Sequence, residues 1–224
     1  MRFVRPLRLA VATSCLLPAL AAAQAPTATR GFEDSWFWGA KGGVAIFTTG
    51  VAGTTRVVAP SAGVEWLITR RNVGAYVSLD QAFFDESAGV YDASVTGSAR
   101  EVKIGDARRY AAGVYFYPVQ YGLVRPYAGL GLAIHVIQRA DPQGTYASEA
   151  AQRAVLDAVR EQSSRVSATF TAGAQAQLGR ASVFGQASMM PTRNNFLING
   201  GAHTYVVEAG VRYNLLSAID SKSR

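Results

Sequence analysis

Alternation of apolar and polar residues recurs in eight segments of this chain, and it limits the possible folds more than any other feature. A period of two places successive side chains on opposite faces of a strand, so each segment predicts a strand with one apolar face. Beyond residue 23 the chain has no apolar run of about 18 residues or more, so no transmembrane helix is predicted. The predicted strands span residues 36–47, 59–68, 73–83, 108–117, 125–137, 166–178, 181–189 and 203–215.

The two faces of these strands differ in charge. One face carries almost none, whereas the other collects three cations and three acids: Lys41, Glu65, Asp80, Arg109, Glu208 and Arg212. A barrel in water buries its apolar face, but a barrel in lipid turns that face outward and satisfies every backbone group by closing the sheet. The pattern therefore predicts an all-β fold, an eight-stranded antiparallel up-and-down transmembrane β-barrel.

The connections between the strands alternate in length. Residues 69–72, 118–124 and 179–180 form short connections, and residues 48–58, 84–107, 138–165 and 190–201 form long ones. Short periplasmic turns and long outer loops produce this pattern when both chain ends lie in the periplasm. The prediction is therefore a barrel of the outer membrane with both termini periplasmic.

A helix is predicted in the third long loop. Residues 148–161 combine Ser148 as N-cap with a thin apolar stripe of Ala151, Val155, Ala158 and Val159. Such a helix could contact a partner or lipid beyond the membrane, or it could fold over the mouth of the barrel.

Large aromatic residues lie near the ends of the first, second and eighth predicted strands. Amphipathic rings at these positions suit an interfacial girdle, although tyrosine and tryptophan are also good strand formers. The predicted girdle residues are Trp36, Trp38, Trp66, Tyr205 and Tyr213.

The first 23 residues have the three parts of a secretory leader. Residues 1–8 contain three arginines and no acid, residues 9–20 are apolar, and residues 21–23 are alanines that provide a cleavage site. We predict a signal peptide at 1–23, a periplasmic segment at 24–35, the barrel at 36–215 and a tail at 216–224. Cys15, the only cysteine, lies in the apolar stretch, and lipid attachment there is the alternative reading. Loss of the three arginines lowers the net charge from +7 to +4 and leaves a mature chain without a thiol.

The charged residues of the lumen are predicted to pair with one another. An eight-stranded barrel is just wide enough to be filled by side chains, and an unpaired charge there is costly. Closure brings the first strand beside the eighth, so Lys41 should reach Glu208. Gly129 and Gly131 could make room for long neighbours or open a cavity. Glycines at 39, 42 and 43 lie inside a strand without a GK[ST] ending, which favours close packing or curvature over a phosphate loop.

No catalytic, cofactor or metal site is predicted. His135 and His203 fall at the outer ends of predicted strands, and Ser167 or Ser188 could approach either only after folding, without support from spacing. Two histidines alone are a poor metal site. The arginines are scattered rather than aligned with aromatic residues, so no nucleic-acid surface is expected.

Several of these features resemble the small outer-membrane β-barrels of the OmpA-like and OmpW-like group. The resemblance rests on the leader, on the segment RPYAGLG at 125–131 and on EAGVRYNL at 208–215, and it covers the whole mature chain. It implies insertion by the barrel assembly machinery and no enzymatic activity. Outer-membrane lipid is the other expected partner, and we expect a monomer.

Four functions are compatible with this sequence. The first is a barrel with a structural or surface-interaction role and a lumen plugged by ion pairs. The others are a narrow pore or carrier for small solutes, an outer-membrane lipid-modifying enzyme, and a soluble lipocalin-like binder.

Overall fold

The computed structural model describes residues 32–51, 55–191, 196–198 and 203–217, and within them the chain forms a closed antiparallel barrel. Its elements are β1 (Ser35–Thr49), β2 (Thr55–Arg70), β3 (Val73–Tyr91), β4 (Ala99–Phe116), β5 (Val124–Pro142), α1 (Glu149–Gln162), β6 (Ser164–Leu178), β7 (Ala181–Met190) and β8 (Thr204–Ser217). Each strand pairs with the next, and β8 pairs with β1. The predicted fold class is confirmed. The predicted leader at 1–23, segment 24–31 and tail residues 218–224 lie outside the described residues.

Side chains alternate strictly between the lumen and the outer surface along most of each strand. On β1, Phe37 and Lys41 are buried while Trp38 between them is half exposed. The exposed outer positions are largely Val, Leu, Ile and aromatic residues, and the buried inner ones include arginine, lysine and acids. The predicted distribution of the two faces is therefore confirmed, with the apolar face outward and the charged face inward.

The predicted length of the second long loop was wrong. Residues 84–91 and 99–107 continue β3 and β4 as a hairpin beyond the barrel, which leaves only residues 92–98 between the strands. The pairing register shifts between Ala82 and Asp85, and Asp106 adopts a positive φ of 52° while accepting the Phe84 N–H at 3.2 Å. The inward positions of β4 change from even to odd numbers across this bulge, which interrupts the alternation that predicts a strand.

The two classes of connection therefore differ less in length than predicted. At one end of the barrel the connections include residues 50–54 and 92–98, which are five and seven residues long. At the other end the connection at residues 117–123 is also seven residues long. The connections 71–72 and 179–180 are tight, and Gly179 at a φ of 64° suits such a turn because glycine lacks a Cβ. We call the end with these tight turns the short-turn end and the opposite end the loop end.

Helix α1 begins where the sequence predicted. The Ser148 hydroxyl accepts the Ala151 N–H at 3.1 Å, which is the N-cap interaction. Val155 and Val159 are buried, and the helix packs on β3, β5 and β6 at the loop end. The helix thus folds over the mouth of the barrel, although its outer side remains exposed. Among the described residues, α1 is neither long nor apolar enough to cross a membrane.

Candidate functional site

Four of the six predicted lumen charges meet in one cluster at the middle of the barrel, here called the ion cluster. Lys41 Nζ lies 2.9 Å from Asp80 Oδ1 and 3.2 Å from Glu208 Oε2. Arg109 Nη2 lies 2.8 Å from Asp80 Oδ2 and 2.9 Å from Glu208 Oε1. Gln186 donates a further hydrogen bond to Glu208 at 3.0 Å. Two cations thus alternate with two acids, and the contact that closure predicts between Lys41 and Glu208 is present.

The other two predicted charges, Glu65 and Arg212, form a separate pair nearer the short-turn end. The Arg212 guanidinium is fully buried and donates to Glu65 Oε1 and to Gln175 Oε1. Its carbon lies 3.8 Å from the centroid of the Phe184 ring, in a cation–π arrangement. Every formal charge of the pair is therefore neutralised inside the barrel.

Inward-facing glycines let these charges reach across an intervening strand. Gly39 is the register partner of both Glu65 and Arg212, and a Cβ there would lie 3.1 Å from the Cγ of each. Gly63 lies between Lys41 and Asp80 in the same way, and its Cβ would be 2.1 Å from Asp80 Oδ1. The close packing predicted for the β1 glycines holds at Gly39 and at Gly43, where a Cβ would lie 1.9 Å from the Val207 carbonyl oxygen, but not at Gly42, whose nearest atom would be 3.6 Å away. The sequence could not predict that charged side chains pair across a glycine on the strand between them, because this depends on the register of neighbouring strands.

Stacked tyrosine rings fill the lumen toward the short-turn end. Tyr76 and Tyr115 stack with centroids 4.2 Å apart, and Tyr115 meets Tyr127 at 4.9 Å. A Cβ at Gly129 would lie 2.5 Å from the Tyr115 ring, and one at Gly131 would lie 3.0 Å from the Tyr76 hydroxyl. Of the two roles considered for these glycines, the structure shows that they make room for long neighbours.

The chain before β1 closes the short-turn end. Phe32 is buried, with its ring 4.5 Å from Tyr117, and the Arg125 guanidinium lies 4.5 Å above it on the other side. The Thr69 hydroxyl donates to the Phe32 carbonyl oxygen, which fixes this segment against β2. This contact could not be predicted, since residues 24–35 show no strand pattern.

Apolar side chains from three loops cover the other end of the lumen, and we call them the loop cap. Leu197 N–H donates to the Gln162 carbonyl at 3.1 Å, and the Thr49 hydroxyl donates to the carbonyls of Leu197 and Ser87. These bonds tie α1 and segment 196–198 to the barrel. The buried members of the loop cap are Ala88, Val90, Val102, Ile104, Val155, Val159, Phe196, Leu197 and Ile198.

A small cavity separates the ion cluster from the loop cap. Its volume of about 30 Å³ suits one or two water molecules, and Phe47, Ser61, His135 and Ile198 are among the residues that line it. The Ser61 hydroxyl and His135 Nε2 are buried there without a hydrogen-bond partner among the described residues. Such polar groups are normally satisfied by water.

The position predicted for His135 was wrong. This residue does not end a strand, because β5 continues to Pro142, and its side chain is buried in the lumen with Arg109 as register partner. His203 precedes β8 and is exposed. Ser188 shares a hydrogen bond with Thr171 at 2.9 Å, and the described residues show no hydrogen bond from Ser167 to His135. Within the described part of the chain, no three His, Cys, Asp or Glu side chains lie together as a metal site.

The predicted girdle residues gather on one side of the barrel. Trp66 lies 5.6 Å from Trp36 and 6.1 Å from Trp38, and Tyr213 pairs with Trp38 across β1 and β8. These four residues mark the short-turn end on the outer surface of β8, β1 and β2. Tyr205 lies on the same side, toward the loop end of β8.

Comparisons with known proteins add only a likeness of fold. No family model matches the chain. No curated protein matches it either. Neisserial surface protein A (NspA) is 12% identical over 80% of this chain and 97% of its own, with a TM-score of 0.49. The outer membrane protein OprG from Pseudomonas aeruginosa is 13% identical over 82% of this chain and 97% of its own, with a TM-score of 0.46. The outer membrane protein Ail from Yersinia pestis is 14% identical over 80% of this chain and 99% of its own, with a TM-score of 0.39.

The closed eight-strand topology by itself agrees with the small-barrel fold that the sequence resemblance implies. The interior is built as layers: tyrosines with the Glu65–Arg212 pair, then the ion cluster, then the cavity and the loop cap. Paired charges and stacked rings therefore occupy successive layers of the lumen.

Proposed function

We propose that this chain is an integral outer-membrane β-barrel with a structural or surface-interaction role and no enzymatic activity. The observation that carries the proposal is the inversion of the two faces. Valine, leucine and tryptophan side chains stay exposed around the barrel, whereas Lys41, Arg109 and Arg212 are buried within it. Exposed apolar surface of this extent is unfavourable in water but is what lipid requires.

In this proposal the layered interior keeps the barrel from conducting. A path through the lumen would have to pass the stacked tyrosines, the ion cluster and the loop cap in turn. The tyrosines and the ion cluster are held by side chains of the barrel strands, and the loop cap is tied to the barrel through the Thr49 hydroxyl. The role then lies on the two rims and the outer surface, with outer-membrane lipid and the barrel assembly machinery as partners.

Fractionation tests the location. Cells expressing the full chain are separated into soluble and membrane fractions, and the membranes are run on SDS gels with and without boiling. We expect the protein in the outer membrane, with a band that shifts on boiling because a closed barrel resists SDS. Recovery in the soluble periplasm would overturn the proposal and favour a lipocalin-like binder.

Two single-cysteine variants test the orientation. Tyr91→Cys lies at the loop end and Tyr121→Cys at the short-turn end, and the native tyrosines are 74% and 69% exposed. A membrane-impermeant maleimide should label Tyr91→Cys on intact cells and Tyr121→Cys only after the outer membrane is permeabilised. The opposite result would place both termini outside the cell.

Planar bilayers test the closed lumen. We expect no discrete conductance steps from the wild-type protein or from Glu208→Gln, which leaves the ion cluster with an excess positive charge. Reproducible steps in the wild type, with an ion selectivity altered in Glu208→Gln, would instead establish a pore through the ion cluster.

A further inference from the structure

A largely apolar pocket with a polar rim lies on the outer surface of the barrel, at the loop end of β1, between β2 and β8. It has a volume of about 200 Å³ and is lined by Ile46, Phe47, Thr48, Arg56, His203 and Tyr205. We infer that this pocket binds the anionic, phosphate-bearing headgroup of a lipid in the surrounding leaflet. The inference rests on the proposed membrane location and adds a specific site to it.

The pocket is formed by two rows of residues that lie side by side on β1, β2 and β8, as the strand register shows. In the lower row Ile46 of β1 pairs with Val58 of β2 and with Tyr205 of β8, so the surface there is apolar. In the upper row Thr48 pairs with Arg56, and His203 precedes Tyr205 by two residues, one step nearer the loop end. An apolar floor beneath a polar rim matches a lipid at the point where its acyl chains meet its headgroup.

The rim is basic and has unused hydrogen-bonding capacity. Arg56 and His203 are exposed, and neither forms an ion pair with a carboxylate among the described residues. The Thr48 hydroxyl is buried and has no partner within that same part of the chain. A guanidinium, an imidazole N–H and a hydroxyl are together the donors that a phosphate accepts from.

The local sequence contains no competing acid. Residues 42–64 and 187–207 include no aspartate or glutamate, so the chain on both sides of the pocket is neutral or basic. Asp85 and Glu86 of β3 line a different groove, with Thr55 and Lys103. Charge complementarity therefore favours an anionic headgroup over a zwitterionic one.

Native mass spectrometry of protein extracted from membranes tests this site. Dioleoyl phosphatidic acid and dioleoyl phosphatidylcholine share their acyl chains and a phosphate and differ in the choline cation, so their retention compares an anionic headgroup with a zwitterionic one. We expect phosphatidic acid to be retained about fivefold more than phosphatidylcholine, because one exposed ion pair contributes up to about that factor. Arg56→Gln and His203→Gln should each lower the preference about twofold.

Two further variants separate specific binding from general attraction. Thr48→Val removes the hydroxyl without altering charge and should lower the retention of both lipids, because each carries a phosphate. Arg180→Gln removes the same charge as Arg56→Gln from an exposed position at the short-turn end and should leave the preference for phosphatidic acid unchanged. The boiling-dependent gel shift checks that every variant is folded.

The remaining outcomes overturn the inference. Equal retention of the two lipids, an equal loss in Arg180→Gln, or a second copy of the chain occupying the pocket as a stable dimer would each do so. A protein found in the soluble fraction would instead overturn the membrane location, so the two failures are distinguishable.

Discussion

Replacing Arg212 with methionine should destabilise the barrel by about 3–5 kcal/mol, the usual cost of breaking a buried ion pair by removing one partner. Arg212 is 0% exposed and neutralises Glu65, which lies equally deep at 1%. Methionine fills a similar length but leaves the carboxylate without its cation. Glu65 Oε2 already lacks a hydrogen-bond partner among the described residues, so loss of the guanidinium removes the bond to Oε1 as well.

The double variant Glu65→Leu/Arg212→Met supplies the matched control. Replacing both members of a buried pair with apolar residues is often close to neutral, so most of the loss should be recovered. Urea unfolding in phospholipid vesicles, followed by tryptophan emission and by the gel shift, measures both variants. A loss below about 1 kcal/mol in Arg212→Met, or a double variant no more stable than the single one, would refute the electrostatic reasoning.

Two further predictions concern packing and the loop end. Gly129→Ala should lower the free energy of unfolding by about 1–3 kcal/mol in the same assay, because the new Cβ would overlap the Tyr115 ring. Gly42→Ala is the control and should change it by less than about 0.5 kcal/mol, because no atom would lie nearer than 3.6 Å to its Cβ. Hydrogen bonds from Ser94 lower the pKa of the Asp92 carboxyl to about 2. Because the folded pKa lies below its ordinary value, this contribution is present above about pH 4 and is lost as the pH falls toward 2, so Ser94 amide protection should fall in that window. Asp92→Ala, which removes the acceptor of the Ser94 N–H, should reduce the same protection at pH 7, and unchanged exchange would contradict the assignment.

The strands and their faces could be predicted because a period of two leaves little freedom. A slip of one residue would turn Lys41 toward lipid and Trp38 toward the lumen. Only one of the two orientations therefore suits both the lipid outside the barrel and the lumen inside it. Closure of the sheet also predicted that Lys41 lies near Glu208, because it makes the first and eighth strands neighbours whatever their detailed backbone geometry. These conclusions depend only on sequence order and on the chemistry of each face.

The partners inside the lumen could not be predicted in the same way. Arg212 pairs with Glu65 across β1 because Gly39 lies between them, and this juxtaposition depends on the register of two strand pairs at once. The β3–β4 hairpin was hidden for a different reason. The inward-facing positions of β4 change from even to odd residue numbers at Asp106. The positive φ of this residue makes a bulge that side-chain alternation alone does not reveal.

The pairing of β1 with β8 has a consequence for how the barrel enters a bilayer. Lys41 and Glu208 are 167 positions apart, so this bond waits until the last strand arrives. Before that moment an open sheet would carry its charged row and its unpaired edges into hydrocarbon, where each would lack compensation. Insertion and closure should therefore be nearly simultaneous, or the growing sheet should be sheltered by another protein until its two outermost strands join.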